Sequence, residues 1–392
     1  QTLASGSRGG LVRLLNVIAA NEIRRWQAHD DGINALLFSV DGKQLITCST
    51  DQTIKVWDAT TGNPISTLKG HAREVNSIGL SADGKWLASG SADGIVKIWE
   101  TANWRERRSL TAHTGAVFAL AFNDDGKLLA SGSADKTAKL WQTADWQLYK
   151  TFNDSASIQS LNFSADGKSL ATGNLQSVIC LWDVSAGSRL RSLSGASGSV
   201  NSLNFSEDGN RVISAHEDGS LRIWNATNGE LMATAVSIRE SADWLVVTPE
   251  GLFDGSPEAW PQILWRFGKT TFNVSPVEIF FNEFFYPDLL SDVLAGKQPK
   301  PKNEITRLDR RQPQMRLLVG DETAVSTKPS VSNQQTITVK IEVSEAATGS
   351  GAQDVRLFRN GALFKIWRGD VLKGQRSAVL QTQIPIIAGE NR

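Results

Sequence analysis

Two cysteines, four histidines and no excess of either charge leave this chain short of the groups from which most catalytic and redox sites are made. Lys and Arg number 41 against 41 Asp and Glu, so no net field draws the chain toward nucleic acid or an acidic membrane surface. Neutrality points to protein or small-molecule ligands instead. Apolar runs such as LLF at 36–38 and IPIIA at 384–388 fall far short of the ~20 residues that span a bilayer. Cys48 and Cys180 lie in predicted strands of non-adjacent repeats, too far apart to bridge, and are expected to be free and buried. Two such thiols fit a reducing compartment, and a cytoplasmic location is the expectation. No His-x-Glu, Cys-x-x-Cys, glycine-rich phosphate loop or nucleophile elbow occurs. The Asp-Gly pairs lack the clustered oxygen ligands of a calcium loop. Neither catalysis, metal nor cofactor is therefore expected in these residues.

What the chain has is a clock. Trp57, Trp99, Trp141, Trp182 and Trp224 are spaced by 42, 42, 41 and 42 residues, and the Asp-Gly pairs beginning at Asp41, Asp83, Asp125, Asp166 and Asp208 keep the same spacing. One more step back from Trp57 reaches Leu15. Each period holds an apolar alternation, a Ser/Asn-x-Asp-Gly turn, a β-rich run such as WLASGS, a second turn, and a strand ending in Trp. Alternation bounded by Asp-Gly turns signals hairpins, so each period predicts one small antiparallel sheet. A single such sheet cannot bury both faces, so the sheets must stack. Each Trp can bury about 200 Å², which at roughly 25 cal/mol per Å² is about 5 kcal/mol at most.

The best copy, KGHAREVNSIGLSADGKWLASGSADGIVKIWE at 69–100, resembles the WD-repeat family. That resemblance implies four-stranded blades packed radially around a channel. It also implies a bracing network of His, Ser or Thr, turn Asp and strand Trp. Three copies keep its ends: His29, Asp51 and Trp57; His71, Asp93 and Trp99; His113, Asp135 and Trp141. Asp154 and Gln176 replace His and Asp before Trp182, and Ala196 replaces His before Trp224, so those two blades are expected to lose the brace and to open more easily. The fourth histidine, His216 in SAHEDG, reads as a surface turn residue. In the family, ligands meet the channel rim. Carried over, the rim positions are Arg8, Asn34, Glu74, Asn76, Phe118, Gln159, Asn201 and Glu217, either a partner-binding ring anchored on Phe118 or merely solvated side chains.

Residues 1–17 match the second half of a repeat, and WLVVTPEGLFDGS at 244–256 continues the clock without a closing Trp strand. Either both ends complete one composite sheet, giving about six sheets, or the ring is larger and only part of it is represented. Gln1 falls inside a repeat, so the native N-terminus is expected to lie upstream. The fold expected is mainly β: a propeller over 1–256, a short helical connector with a basic linker over 257–312, and an incomplete immunoglobulin-like sandwich over 313–392.

In the connector, SPEAWPQILWRFG and SPVEIFFNEFFYPDLLSDVLAGK read as helices opening at Ser-Pro. Their aromatic stripe of Trp260, Trp265, Phe280, Phe281, Phe284, Phe285 and Tyr286 reads as core packed on the propeller. The alternation resumes from about 314, with Asn360-Gly361 as a tight hairpin turn. WLVVTPEGLFDGS, FFYPDLLSDVLAGKQPK and GSGAQDVRLFRNG further resemble the connecting region of bacterial proteins in which a WD-repeat propeller precedes a caspase-like peptidase. That resemblance implies a peptidase downstream, acting with this chain in cis and outside these residues. The function expected is a non-catalytic protein-interaction scaffold or sensor, regulating such a peptidase or acting as a stand-alone adaptor. Its partner would be a protein or peptide, with no nucleic acid and no membrane.

Overall fold

The five Asp-Gly pairs that keep the 41–42-residue spacing make the same turn. Gly42, Gly84, Gly126, Gly167 and Gly209 hold φ of 67–70°, a region that costs glycine little. The Asp side chain locks the turn from within, as where Asp83 Oδ1 accepts from the Ser81 hydroxyl at 2.7 Å and from the Lys85 N–H at 3.1 Å. Those two donors favour the charged carboxylate and hold Asp83 down at about 2.

The computed structural model describes residues 2–195, 198–238, 242–262, 264–266, 274–276, 284–302, 314–319, 322–323, 336–345, 352–359 and 362–385. The chain divides into two compact units, one of Gln1–Trp260 with Phe284–Pro301, the other of Pro261–Glu283 with Lys302–Arg392.

The first unit carries six antiparallel sheets among the described residues. The first has three strands, Thr2–Gly6, Leu11–Asn16 and Asn21–Gln27. The second runs Ile33–Phe38, Gln44–Ser49, Ile54–Asp58 and Pro64–Leu68, and the third Val75–Leu80, Trp86–Ser91, Ile95–Glu100 and Arg105–Thr111. The fourth (Val117–Phe122 to Leu148–Asn153) and fifth (Ile158–Phe163 to Arg189–Leu193) repeat this order. The sixth begins with Val200–Phe205 and has six strands.

The five tryptophans stand at matched register, opposite Leu45, Leu87, Leu129, Leu170 and Val212, and all are buried. Apolar clusters join neighbouring sheets pairwise; Ile46, Ile54 and Val56 of the second sheet, for instance, pack with Leu87 and Trp99 of the third. Cys48 and Cys180 are free and buried, and burial pushes the Cys48 thiol up to about 12.

The composite sheet expected from the two chain ends does not form. Trp244–Val247 pairs with Leu231–Ser237, and Phe253–Gly255 with Trp244–Val247, so both extend the outer edge of the sixth sheet. The physical reason is proximity: Leu231–Ser237 and Trp244–Val247 are neighbours in sequence, and neighbouring strands commonly pair. The helical connector is described only in part. Among the described residues of the connector there are a 3₁₀ turn, Pro257–Gln262, and a short α-helix, Leu289–Leu294, while Leu264–Arg266 and Val274–Pro276 pair as strands; residues 277–283, the middle of the second expected helix, lie outside the described residues. Asp288 precedes that helix in a left-handed conformation without capping it, so no strong start signal extends it.

Of the described members of the aromatic stripe, only Phe284 is core; Trp260, Phe285 and Tyr286 are partly exposed. Phe284 is fully buried, and Phe285 packs against Phe253 and Trp260 at 5.7 and 5.5 Å between ring centroids. The side chains of Trp265, Phe280 and Phe281 lie outside the described residues.

In the second unit, Gln314–Val319, Thr336–Ser344 and Ser377–Pro385 form the main sheet with Glu322–Thr323 at one edge, and Gln353–Arg359 pairs with Ala362–Asp370 in a second sheet. Alternate residues Val339, Ile341 and Val343 bury one face against Val355 and Leu357, giving the unit its own core. Asn360 and Gly361 lie outside the described residues, but Arg359 stands opposite Ala362 across them.

Candidate functional site: the channel wall and its bracing network

The innermost strand of each complete sheet carries one extra residue. Register shifts fall between Ile33 and Ala35, Val75 and Ser77, Val117 and Ala119, Ile158 and Ser160, and Val200 and Ser202. The residue inside each shift is Asn34, Asn76, Phe118, Gln159 or Asn201. A bulge leaves its extra residue out of the pairing and re-aims its side chain. These five side chains line one cavity of about 260 Å³. Its wall is thus four carboxamides and one phenyl ring, without a formal charge.

The five do not all have the same freedom. Asn34 Nδ2 donates to the Val75 carbonyl at 2.9 Å and Asn76 Nδ2 to the Val117 carbonyl at 3.1 Å, each tying its sheet to the next. Between the fifth and sixth sheets the Ser160 hydroxyl makes this link, to the Val200 carbonyl at 3.1 Å. Phe118 and Ala119 hold the corresponding places in the fourth sheet and have no polar atom to offer. Gln159 and Asn201 turn back to their own strands' entries, at Ser157 and Ser199.

Of the other rim residues named from sequence, Arg8 and Glu217 are exposed and Glu74 is half-buried, 3.7 Å from Arg73; none of the three lines the cavity. Leu175 was not anticipated. It holds the rim position next to the fifth turn and is 58% exposed.

Behind the wall lies the bracing network. In the second sheet His29 Nδ1 meets Asp51 Oδ2 at 2.8 Å, His29 Nε2 meets Thr47 Oγ1 at 2.7 Å, and Trp57 Nε1 donates to Thr47 Oγ1 at 2.9 Å. His71, Asp93, Ser89 and Trp99 repeat it, as do His113, Asp135, Ser131 and Trp141. An acceptor-only carboxylate at Nδ1 fixes the proton there, leaving Nε2 to accept from the hydroxyl. Burial holds His29, His71 and His113 below the usual range, more strongly than their aspartates raise them. Burial works to raise Asp51, Asp93 and Asp135, but hydrogen bonds from turn groups and imidazole outweigh it and keep them low.

The two divergent sheets keep a brace, contrary to expectation. In the fifth, Asp154 takes the imidazole's place: Thr172 Oγ1 donates to Asp154 Oδ2 at 3.0 Å while accepting from Trp182 Nε1 at 3.0 Å. Asn174 then does the turn aspartate's work, donating to Asp154 at 2.7 Å and accepting from the Gln176 and Val178 N–H groups. In the sixth, the imidazole comes from inside the strand. His216 is only 4% exposed, and its Nε2 lies 2.8 Å from Ser214 Oγ, which accepts from Trp224 Nε1 at 2.9 Å. The surface-turn reading of His216 is therefore wrong: the turn starts one residue later, and strand pairing with Val200 carries the histidine inward.

One signal would have found this. A Thr or Ser stands ten residues before every strand tryptophan, at Thr47, Ser89, Ser131, Thr172 and Ser214, so the tryptophan's partner is constant and only the third group varies.

Two family matches fall on this geometry. Residues 32–175 match the family described as IFT122 first beta-propeller, and residues 187–225 match WD domain, G-beta repeat. Over these residues the repeats are similar to WD repeats. DDB1- and CUL4-associated factor 13 of Dictyostelium discoideum is 40% identical to this chain over 55 residues, 14% of the chain and 12% of that protein. Protein TOPLESS of Arabidopsis thaliana is 60% identical over 37 residues, 9% of the chain and 3% of that protein. The chain thus spans a small part of either relative's length. Among its described residues, no three His, Cys, Asp or Glu side chains group to hold a metal ion.

Proposed function

We propose that this chain is a non-catalytic interaction scaffold that docks a protein segment at the channel mouth around Phe118. The observation that carries the reading is the alignment of five bulges, one in each complete sheet, around a single uncharged cavity with one aromatic anchor. Carboxamides both donate and accept, so such a wall suits an extended backbone or a neutral side chain, while Phe118 supplies the apolar contact on which affinity concentrates. The half-exposed Phe118 makes no interblade link, which leaves its ring free for a ligand. DDB1- and CUL4-associated factor 13 is by its name an associated factor of other proteins, which supports an interaction role.

The test is a Phe118→Arg variant compared with wild type in affinity capture from the source cells, with the captured partner identified by mass spectrometry. Loss of that partner from a variant with an unchanged unfolding midpoint supports the proposal. Retention of the same partner at the same yield refutes it.

A narrower reading rests on the resemblance of residues 244–392. It makes the chain the regulatory part of a larger bacterial caspase-like peptidase protein, cytoplasmic, with an immunoglobulin-like second unit. The alternative is a stand-alone adaptor. The parent gene decides between them: separated His and Cys motifs in a downstream α/β domain support the first, and their absence supports the second.

A further inference from the structure

We infer that the seam between the second and third sheets carries a second docking pocket, at the end of the stack opposite the channel mouth, which takes a tryptophan side chain from a protein segment. Each inner strand of a complete sheet starts at its bulge and ends at its Asp-Gly turn, so Asn34 marks one end of the second sheet and Val40 the other. Beside Val40 opens a cavity of about 340 Å³ lined by Gln44, Ile46, Leu80 and Trp104, with Asp41 as the one formal charge in its wall among the described residues. That volume falls within the ~300–1,000 Å³ of small-ligand sites.

The neighbouring seam shows what such a space holds. One repeat on, 42 residues later, Trp86 stands at the position of Gln44 and Trp146 at that of Trp104. There the two indoles meet edge to face, with ring centroids 5.7 Å apart and planes at 84°, and Trp146 is only 7% exposed. Between the second and third sheets one indole of the pair remains and the other is replaced by Gln44, so Trp104 stays partly exposed against the cavity. Ile46 in place of Ala88 and Leu80 in place of Phe122 offset one another in size, which leaves the missing indole as the main difference.

Backbone conformation gives Trp104 a use. It holds φ of 57° and Trp146 holds 61°, in the left-handed region where the equivalent loops of the second, fifth and sixth sheets have Gly62, Gly187 and Gly229. A bulky side chain there is an outlier, kept where its contacts over-determine it. For Trp146 those contacts lie within the chain; for Trp104 one side is open. Val40 is a second signal. It lines the cavity while 65% exposed, at a turn position that Ala82, Asp124, Ala165 and Glu207 hold in the other complete sheets.

The polar groups of the wall select a protein segment over a free aromatic ring. The Gln44 main chain pairs with the Ser39 hydroxyl, while its carboxamide bonds no other group among the described residues. A free carboxamide donates and accepts, which matches the main chain on either side of an inserted indole. Asp41 Oδ1 accepts from Ser39 and from the Lys43 N–H, and its Oδ2 meets the exposed Lys43 ammonium at only 4.0 Å. A basic residue beside the tryptophan would complement that carboxylate.

The probe is acetyl-Lys-Trp-Gly-amide carrying 5-fluorotryptophan, followed by fluorine NMR with the full chain. Its signal should shift saturably, and acetyl-Lys-Leu-Gly-amide should compete about tenfold less well, the scale of an aromatic pair contact. Free indole, without a main chain, should also compete less well. Gln44→Trp rebuilds the neighbouring seam and should abolish binding without lowering the urea midpoint. Trp104→Gly installs the residue of the other loops and should abolish binding in a chain that still unfolds cooperatively. Phe118→Arg, at the channel mouth, should bind as wild type does.

Four outcomes overturn the inference: no saturable shift up to about 10 mM peptide, equal competition by the leucine peptide, equal competition by indole, or binding that survives in folded Gln44→Trp and Trp104→Gly. The second would mean undirected apolar contact, the third a small-molecule site, and the fourth, with loss in Phe118→Arg, binding at the channel mouth.

Discussion

Replacing Asp154 by Ala removes the one group that joins the two halves of the fifth sheet's brace. Thr172 Oγ1 loses its acceptor at 3.0 Å and Asn174 Nδ2 loses its acceptor at 2.7 Å, while the Trp182–Thr172 bond can persist. Hydrogen bonds to a charged group contribute about 1.5–3 kcal/mol each. Asp154 is half-buried and water can reach part of the vacated space, so the loss falls short of the full sum, at about 2–4 kcal/mol. That corresponds to roughly 30- to 1000-fold faster native-state hydrogen exchange if the sheet opens locally.

The amides to watch are Gln176 and Val178, which donate to Asn174 Oδ1, and the strand Ile179–Asp183 behind them. Exchange in the second to fourth sheets should change little. The compensating variant is Asp154→His with Gln176→Asp, which rebuilds the arrangement of the second to fourth sheets around the existing Thr172 and should recover most of the loss. If Asp154→Ala leaves Gln176 and Val178 within about twofold of wild type, less than about 0.5 kcal/mol, the rewired brace is geometry without energetic weight.

Acid should unfold the first unit in two stages. The histidines have folded values below 6.5, so the unfolded chain takes up protons first and stability falls as pH drops below about 6.5. The bracing aspartates lie below 3.8, so a further loss begins as pH falls below about 3.8. Urea midpoints measured from pH 8 to 3 check this, and a flat profile between pH 7 and 5 would contradict the neutral-imidazole assignment. Gly90→Ala should destabilise by about 1–3 kcal/mol through overpacking, because its new Cβ would sit 2.5 Å from Val117 Cγ1 of the next sheet. A thermal midpoint equal to wild type would show that the seam yields freely.

The sheet architecture was legible because its signals are local and redundant. An Asp-Gly turn, an alternating strand and a tryptophan each recur on one clock, and every recurrence folds the same way. The brace was only partly legible. Where His and Asp keep their places, at His71 and Asp93 for example, sequence and geometry agree. Where they do not, the same hydroxyl recruits whatever lies near in space: Asp154 from the entry loop, or His216 from two residues along the strand. A motif read by position misses such substitution because the requirement is a partner for Ser or Thr, not a residue at a fixed offset. The fate of Trp244–Gly255 was illegible for another reason. Its repeat phase is correct, but it pairs with the neighbouring edge Leu231–Ser237, and phase does not record which edge a strand joins.

The channel wall shows how one position can serve two ends. The bulge that turns Asn34 and Asn76 toward the axis also brings their amides within reach of the next sheet's carbonyl, so those residues are committed to holding the ring. A ligand must then meet the amides as they stand or compete for the seam bonds. Phe118 has no such commitment, and among the described residues Gln159 and Asn201 bond within their own sheets. Freedom to rearrange is therefore concentrated in the fourth to sixth sheets, beside the exposed Leu175. It follows that Phe118→Ala should alter binding with little effect on stability, whereas Asn76→Ala should lower stability through the Val117 link even when nothing is bound. A binding defect from Asn76→Ala alone would thus speak for the ring's integrity, and one from Phe118→Ala for the site.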